Sequence, residues 1–465
     1  MIEMINEAVD VRETGLWERC PQLLEILLQD MTTGGTLLWA TDDYAALGEG
    51  YGADDCITVE KITGEHEGII KPWIKRSKEI QQQRIKKKGE VFTPARVCNM
   101  QINAVDDEWI GRTGSFNTET AAGWLTSEGK VEFPKEKDTL HPTAWQKYVE
   151  LRRMEITCGE APYITSRYDA ATCEAVPLKE RVGLLDRKLR VIAEHVRSRA
   201  DAMWFKWAEK ALKSVYGYDW QGDNVLLARE NILFTMLEAY EAKFGKEMTD
   251  EQAEKFARII AWNIWQMDGL KYVIPRTCHE ELTREENLFG EVTEERRECP
   301  GCKSGESGKH NGIAVRINTW YRNKEIEVRE LTKGAVMMAK NKEFKFDVII
   351  GNPPYQDNTL GDNKKFMPPI YHLFMDEAYK VADKVELIHP ARFLFNAGST
   401  PVEWNRKMLN DEHFKVLYYE QDSSKVFGDT DIKGGVAVTY RDKNKNLGKI
   451  DTFTSFSELN SILPR

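Results

Sequence analysis

Asn352-Pro353-Pro354-Tyr355 is the stretch of this chain best equipped for chemistry. Two adjacent prolines fix φ and remove two backbone N–H donors, so the turn presents carbonyl acceptors. Asn352 adds a side-chain oxygen that also accepts, and Tyr355 adds a flat ring. Acceptors beside a stacking face form a site for a planar amine, such as the exocyclic NH2 of a base. The turn follows Phe346-Asp347-Val348-Ile349-Ile350-Gly351, an apolar run that predicts a buried strand. Open α/β sheets keep their ligands at the carboxyl ends of such strands.

Four stretches upstream carry related signals. Gly89-Glu90-Val91-Phe92-Thr93-Pro94 reads as a helix stop, a short aromatic loop and a new helix, with Thr93 as N-cap and Pro94 at N1. Glu155-Ile156-Thr157-Cys158-Gly159-Glu160-Ala161-Pro162-Tyr163-Ile164 opens a second unit. Tyr216-Gly217-Tyr218-Asp219-Trp220 ends a predicted strand on an acid, the position that holds ribose hydroxyls in nucleotide folds. Trp265-Gln266-Met267-Asp268-Gly269-Leu270 ends the next one the same way.

In this order the five stretches resemble the gamma arrangement of adenine-N6 DNA methyltransferases of the Eco57I type, found in restriction–modification systems. The resemblance covers about residues 85 to 440. Asn352, Pro353, Pro354 and Tyr355 match the catalytic NPPY motif. Residues 155–164 resemble the cofactor loop that reads roughly D-P-A-C-G-S-G, with Glu155 at the acidic position and Cys158-Gly159 matching; Thr157 and Gly159 would line it. The chain departs from the motif at Ala161, where the family has glycine, and at Pro162. Phe92-Thr93-Pro94 resembles the segment packed over the methionine part of the cofactor. The resemblance implies S-adenosylmethionine as cofactor, with Asp219 on its ribose, Trp220 against its adenine ring and Asp268 on its adenine amino group.

By the same resemblance, residues 370–374, 386–394 and 431–436 flank the target-base pocket. The implied reaction is methylation of a flipped-out adenine. The Asn352 side-chain oxygen and the Pro353 carbonyl would accept both amino N–H groups, localising the lone pair toward the methyl. Tyr355 would stack on the base. Methylation of RNA adenine or of protein glutamine fits the same acceptors, although the glutamine enzymes are smaller. A catalytically silent nucleic-acid-binding subunit also fits, because of Ala161-Pro162.

A separate constellation lies at 278–310. Cys299-Pro300-Gly301-Cys302 is a C-x-G-C turn of the zinc-knuckle kind, and Cys278, His279 and His310 lie near enough to complete four ligands. We expect a structural zinc here, with a reduced, metal-free pair as the rival. A catalytic zinc is not expected, because methyl transfer to an amine needs no Lewis acid.

The chain has 465 residues, a net charge of −10, 41% hydrophobic and 30% charged residues, and eight cysteines. That composition is ordinary for a soluble globular protein and excludes a disulfide scaffold. No long apolar run and no signal-peptide core appear, so we expect a cytoplasmic protein without membrane spans. The net charge argues mildly against nucleic acid, but basic residues cluster. Between Lys71 and Arg96 nine Lys or Arg (71, 75, 76, 78, 84, 86, 87, 88, 96) face only Glu79 and Glu90. We expect this segment, with Lys364 and Lys365, to hold phosphates of DNA.

Strands alternating with helices must position these residues. The fold class we expect is α/β: a Rossmann-like, S-adenosylmethionine-dependent methyltransferase sheet with helices on both faces, a mainly helical N-terminal region and irregular insertions. Residues 1–88 form the N-terminal region, with a helix over 20–29, a short strand over 36–40 and a basic helix over 73–88. Residues 89–440 form the catalytic domain, with insertions at about 106–150 and 275–312. Predicted strands fall at 214–219, 259–268, 346–351, 385–388, 415–420 and 435–440, and predicted helices at 179–196, 204–212 and 224–244. Residues 441–465 begin a C-terminal region. In the gamma order a recognition domain follows the catalytic one; only about 25 residues follow Tyr440, so we expect either that the chain is a truncated piece or that site choice comes from a specificity or restriction subunit or from an insertion.

Overall fold

A computed structural model describes residues 6, 7, 9–81, 84, 91–121, 123–134, 143–196, 201–286, 292–340, 342–356, 367–428 and 430–455. Its centre is a seven-stranded sheet. The strands are β1 (Arg153–Ile156), β2 (Val215–Asp219), β3 (Ile264–Gln266), β4 (Phe346–Gly351), β5 (Ala382–Pro390), β6 (Phe414–Glu420) and β7 (Val436–Asp442). Their spatial order is β6-β7-β5-β4-β1-β2-β3. Neighbours from β5 through β4, β1 and β2 to β3 run parallel, and β7 is antiparallel to both β5 and β6. The chain order reverses between β1 and β4, so the sheet winds outward in both directions from that point.

Interior parallel strands are covered on both faces, and their sequences follow suit. Every residue of β1 and β2 is buried, and all of β4 except half-buried Asp347. Side chains alternate between two cores because strand periodicity is two. Val215, Ile264 and Ile350 enter one core; Tyr216, Trp265 and Ile349 enter the other. The first core is completed by helices Leu184–His195, Asp201–Leu212, Gly222–Phe244 and Asp250–Asn263, together with the N-terminal helix Pro21–Leu28. The second is completed by helices Tyr371–Val381 and Val402–Leu409 and by residues 315–344. Helices therefore lie on both faces, as expected. Among the described residues no helix is long and apolar enough to cross a membrane.

Several local expectations are corrected. The apolar run 259–268 is helix to Asn263 and strand only over Ile264–Gln266. A capping box decides it: Gln252 N donates to Thr249 Oγ1 at 3.3 Å, and Thr249 N donates to Gln252 Oε1 at 3.1 Å. Ala253, Phe256, Ala257, Ile260 and Ala261 are then buried at helical spacing. Residues 36–40 make only isolated bridges, Gln29 with Thr36 and Leu38 with Cys56, rather than a strand. The basic segment starts as a single 3-10 turn, Trp73–Lys75, and is helical at 78–81 and at 84; residues 82, 83 and 85–90 lie outside the described part.

The helix after the aromatic loop is Ala95–Ile110, with Pro94 rather than Thr93 at the N-cap. The missing side-chain cap is replaced from a distance, since Ala95 N donates to Asp169 Oδ2 at 2.8 Å. That helix reaches into the expected irregular insertion, which also holds the hairpin Asn117–Thr120/Gly123–Thr126 and helix Ala144–Glu150.

Candidate active site at the carboxyl edge of the sheet

The register of the sheet brings the sequence motifs to one edge. Gly351 pairs with Ile156, so the Asn352 turn and the loop starting at Thr157 leave adjacent strands side by side. Glu155 pairs with Gly217, and Asp219 with Gln266, so Asp219 and Asp268 follow at the ends of the next two strands. Thr157 Oγ1 donates to the Asn352 carbonyl at 3.0 Å and joins loop to turn.

Asn352 is held from across the chain. Its Nδ2 donates to the Val91 carbonyl at 2.9 Å and to Thr93 Oγ1 at 3.2 Å. Both partners belong to the aromatic loop before the Ala95 helix. With the amide nitrogen anchored, the side-chain oxygen has one direction left. That oxygen, Oδ1, is buried and has no hydrogen-bond partner among the described residues. A buried acceptor left unpaired costs about 1–3 kcal/mol, so its retention points to a ligand donor. Tyr355 is less open than a stacking platform needs. Its ring is 7% exposed and meets Phe427 edge-on at 6.5 Å, and its hydroxyl lies against the Asn352 side chain.

The loop after β1 is wound left-handed. Thr157, Gly159 and Ala161 have φ of 47°, 51° and 62°. Positive φ in a β-branched residue is rare and concentrates at functional sites. Ala161, the departure from the family glycine, adopts the glycine conformation all the same. Gly159 also needs its missing side chain: a Cβ there would lie 3.0 Å from the Phe92 ring. Phe92 in turn stacks on Trp73 at 4.7 Å. Phe92 thus packs over the loop.

The acids expected to meet a cofactor first serve the turns they sit in. Asp219 accepts from Gly159 N at 3.0 Å, Gln221 N at 3.0 Å and Asn224 Nδ2 at 3.2 Å. Asp268 accepts from Leu270 N at 3.0 Å and Lys271 N at 3.2 Å, with Lys271 Nζ at 3.5 Å; burial pushes its carboxyl up. Glu155 is buried within β1 and accepts from Ile164 N at 3.0 Å, closing the loop; burial pushes it well up. Trp220 keeps an exposed face, 37% accessible, while its Nε1 donates to the Ala40 carbonyl.

Sequence reasoning missed Glu160. Its carboxylate accepts from Trp73 N and from the Tyr168 hydroxyl, and its carbonyl accepts from Asn231 Nδ2 at 3.1 Å. Burial raises this carboxyl to about 7, against the two donors that lower it. Gln266 was also missed. Its side chain binds both Leu38 N and Leu38 O, and the Trp220 carbonyl, fastening the N-terminal region over the ends of β2 and β3. A lone Glu in a loop and a Gln at a strand end carry no spacing signal.

The basic segment is corrected in part. Arg76 and Arg84 are buried and paired to Asp223 at 3.2 and 2.7 Å, and Arg84 also binds Asp43 at 2.8 Å. These two arginines brace the protein rather than hold phosphates. Lys86, Lys87, Lys88, Lys364 and Lys365 lie outside the described residues. The cysteine cluster comes together without His279: donor atoms of Cys278, Cys299, Cys302 and His310 all lie within 4.8 Å of one another.

A doubly wound sheet whose reversal point carries a proline-fixed acceptor turn beside a left-handed loop defines a Rossmann-like α/β protein. Residues 213–427 match the family model described as Eco57I restriction-modification methylase. The chain is also similar to an uncharacterized adenine-specific methylase of Mycoplasma pneumoniae, 32% identical over 117 residues, which is 25% of this chain and 28% of that protein. The family model covers less than half of the chain, so the likeness to Eco57I-type methylases is one of residues 213–427. Among solved structures it is similar to DrdV in complex with DNA (TM-score 0.36, 13% identity, 80% of this chain and 30% of that one). It is also similar to the ATP-dependent Type ISP restriction-modification enzyme LlaBIII bound to DNA (TM-score 0.38, 13% identity, 92% and 25%). The chain thus spans less than a third of each of these relatives.

Proposed function

We propose that this chain methylates adenine N6 in DNA with S-adenosylmethionine, as the modification component of a restriction–modification system. The observation that carries the reading is the Asn352 amide. Its nitrogen is anchored, and its buried oxygen has no hydrogen-bond partner among the described residues.

An exocyclic adenine amine is a weak nucleophile because its lone pair is delocalised into the ring. Asn352 Oδ1 and the Pro353 carbonyl would accept its two N–H groups and favour a pyramidal nitrogen. The same dipoles stabilise positive charge as it develops there. Pre-set acceptors cost no reorganisation at that moment. No strong base is required, since the proton can leave after transfer. S-adenosylmethionine, when bound, supplies the electrophilic methyl. Thr157, Gly159, Phe92, Thr93, Pro94, Asp219, Trp220 and Asp268 would hold it. The left-handed loop fits a ligand approaching backbone closely. Duplex DNA would present the base by flipping it out. A specificity or restriction subunit would supply site choice.

The test is sequencing for N6-methyladenine in DNA from cells expressing wild type or Asn352→Ala. We expect marking to fall by about 10²–10³-fold in the variant, the usual cost of one pre-organised polar group. Equal marking in both would remove Asn352 from the chemistry. A purified chain that binds no S-adenosylmethionine would sink the reading as a whole.

A further inference from the structure

His310 Nδ1 lies 3.6, 3.7 and 3.6 Å from the sulfurs of Cys278, Cys299 and Cys302. One imidazole nitrogen has either one proton or one lone pair, so it cannot hydrogen-bond three thiols at once. A different centre accounts for three equal distances. Zinc bonds of ~2.3 Å to sulfur and ~2.0–2.1 Å to nitrogen, opened to the tetrahedral angle, place N and S about 3.6 Å apart. The four donors stand where such an ion would hold them.

The surroundings are built to the same end. Asn311 N–H donates to Cys299 Sγ at 3.3 Å, a bond that favours a thiolate. A Cβ on Gly301 would lie 2.6 Å from His310, so the C-x-G-C turn needs its glycine for the histidine to close. Cys278 and Cys299 flank the hairpin Glu281–Glu286/Val292–Arg297, whose base pairs Glu281 with Arg297. An isolated two-stranded hairpin is marginal in water. This one has exposed Leu282, at 58%, and mostly charged strands. Such a hairpin needs a staple at its base.

We propose that Cys278, Cys299, Cys302 and His310 bind one structural zinc ion that fastens the 275–312 insertion to the sheet. Four protein ligands leave no open position for catalysis. The clamp reaches the candidate active site through backbone. Ile274 N donates to the Ile313 carbonyl at 2.8 Å, Val315 N to the Tyr272 carbonyl at 3.1 Å, and Asp268 N to the Val273 carbonyl at 2.9 Å. Zinc thus fixes the segment that starts at Asp268.

The full chain, purified in reductant without chelator, should release about one zinc per molecule to a chromogenic indicator after organomercurial treatment of its thiols. Cobalt(II) in place of zinc should give tetrahedral d–d bands with sulfur-to-metal charge transfer. His310→Cys should keep the metal, and His310→Ala should lose it. Chelation of the wild type should speed amide exchange across 268–315 and leave β4 and β5 unchanged. A chain that carries no zinc and gives only octahedral cobalt, or one in which Cys299 and Cys302 form a disulfide, would overturn the proposal. A chain that binds zinc but not S-adenosylmethionine would uphold this site and sink the methylation reading, so the two are tested apart.

Discussion

At Glu160 a single carboxyl ties three segments of the molecule: its own loop, Trp73 and Tyr168. Burial lifts it from an ordinary 4.5 to about 7. A folded-state pKa above the unfolded one means that the fold takes up a proton between these values. Its contribution to stability is therefore full below about 4.5 and is lost as pH rises through about 7. Glu160→Gln mimics the protonated group and should flatten that slope. Urea midpoints at pH 5 and pH 8 provide the check; equal losses in both proteins would show that Glu160 does not titrate there. The neighbouring Ala161 needs no such compensation. Its φ of 62° costs about 1–3 kcal/mol, yet it leaves the loop in the shape a glycine would give.

At the scale of elements, the N-terminus of helix Gly222–Phe244 is a buried charge centre. Asp223 is fully buried and pairs with Arg76 and Arg84, which are 8% and 2% exposed. Asp223→Ala would remove the buried carboxylate that Arg76 and Arg84 share and should cost about 3–5 kcal/mol. Lys78→Ala, in the same basic segment but exposed, should change stability by less than about 0.5 kcal/mol. Chemical denaturation of both variants tests the pair. A small loss for Asp223→Ala would mean that water reaches the site. The charge run was legible in the sequence, but its direction was not. Arg76 and Arg84 face inward because the acid they meet lies about 140 residues further on.

Over the whole molecule, Arg229 joins the N-terminal region to the sheet. Its guanidinium donates to the carbonyls of Leu27, Gln29, Ala261 and Ile264 at 2.6 to 3.0 Å. Burial lowers its pKa to about 10, still protonated at neutral pH. Arg229→Met keeps bulk but leaves four carbonyls unpaired, at about 1–3 kcal/mol for each that water cannot reach. We expect a lower unfolding midpoint and exposure of Trp39, which is fully buried in the shared core. Near-ultraviolet dichroism followed alongside far-ultraviolet dichroism would report both. An unchanged midpoint would mean that the N-terminal region is held elsewhere.

The sequence by itself determined the acceptor turn, because adjacent prolines restrict the backbone from within. It also determined β4, whose apolar run needs two covered faces, and the C-x-G-C turn, whose spacing is local. The α/β class followed from alternating strands and helices, but the order of the strands did not. Other features were decided only by tertiary structure. The run 259–263 became helix because Thr249 and Gln252 cap it and its apolar side chains meet the first core. Asn352 acquired its direction from Val91 and Thr93, 261 and 259 residues away. An amide can turn either face to a ligand, and only a distant partner on its nitrogen commits its oxygen to the site.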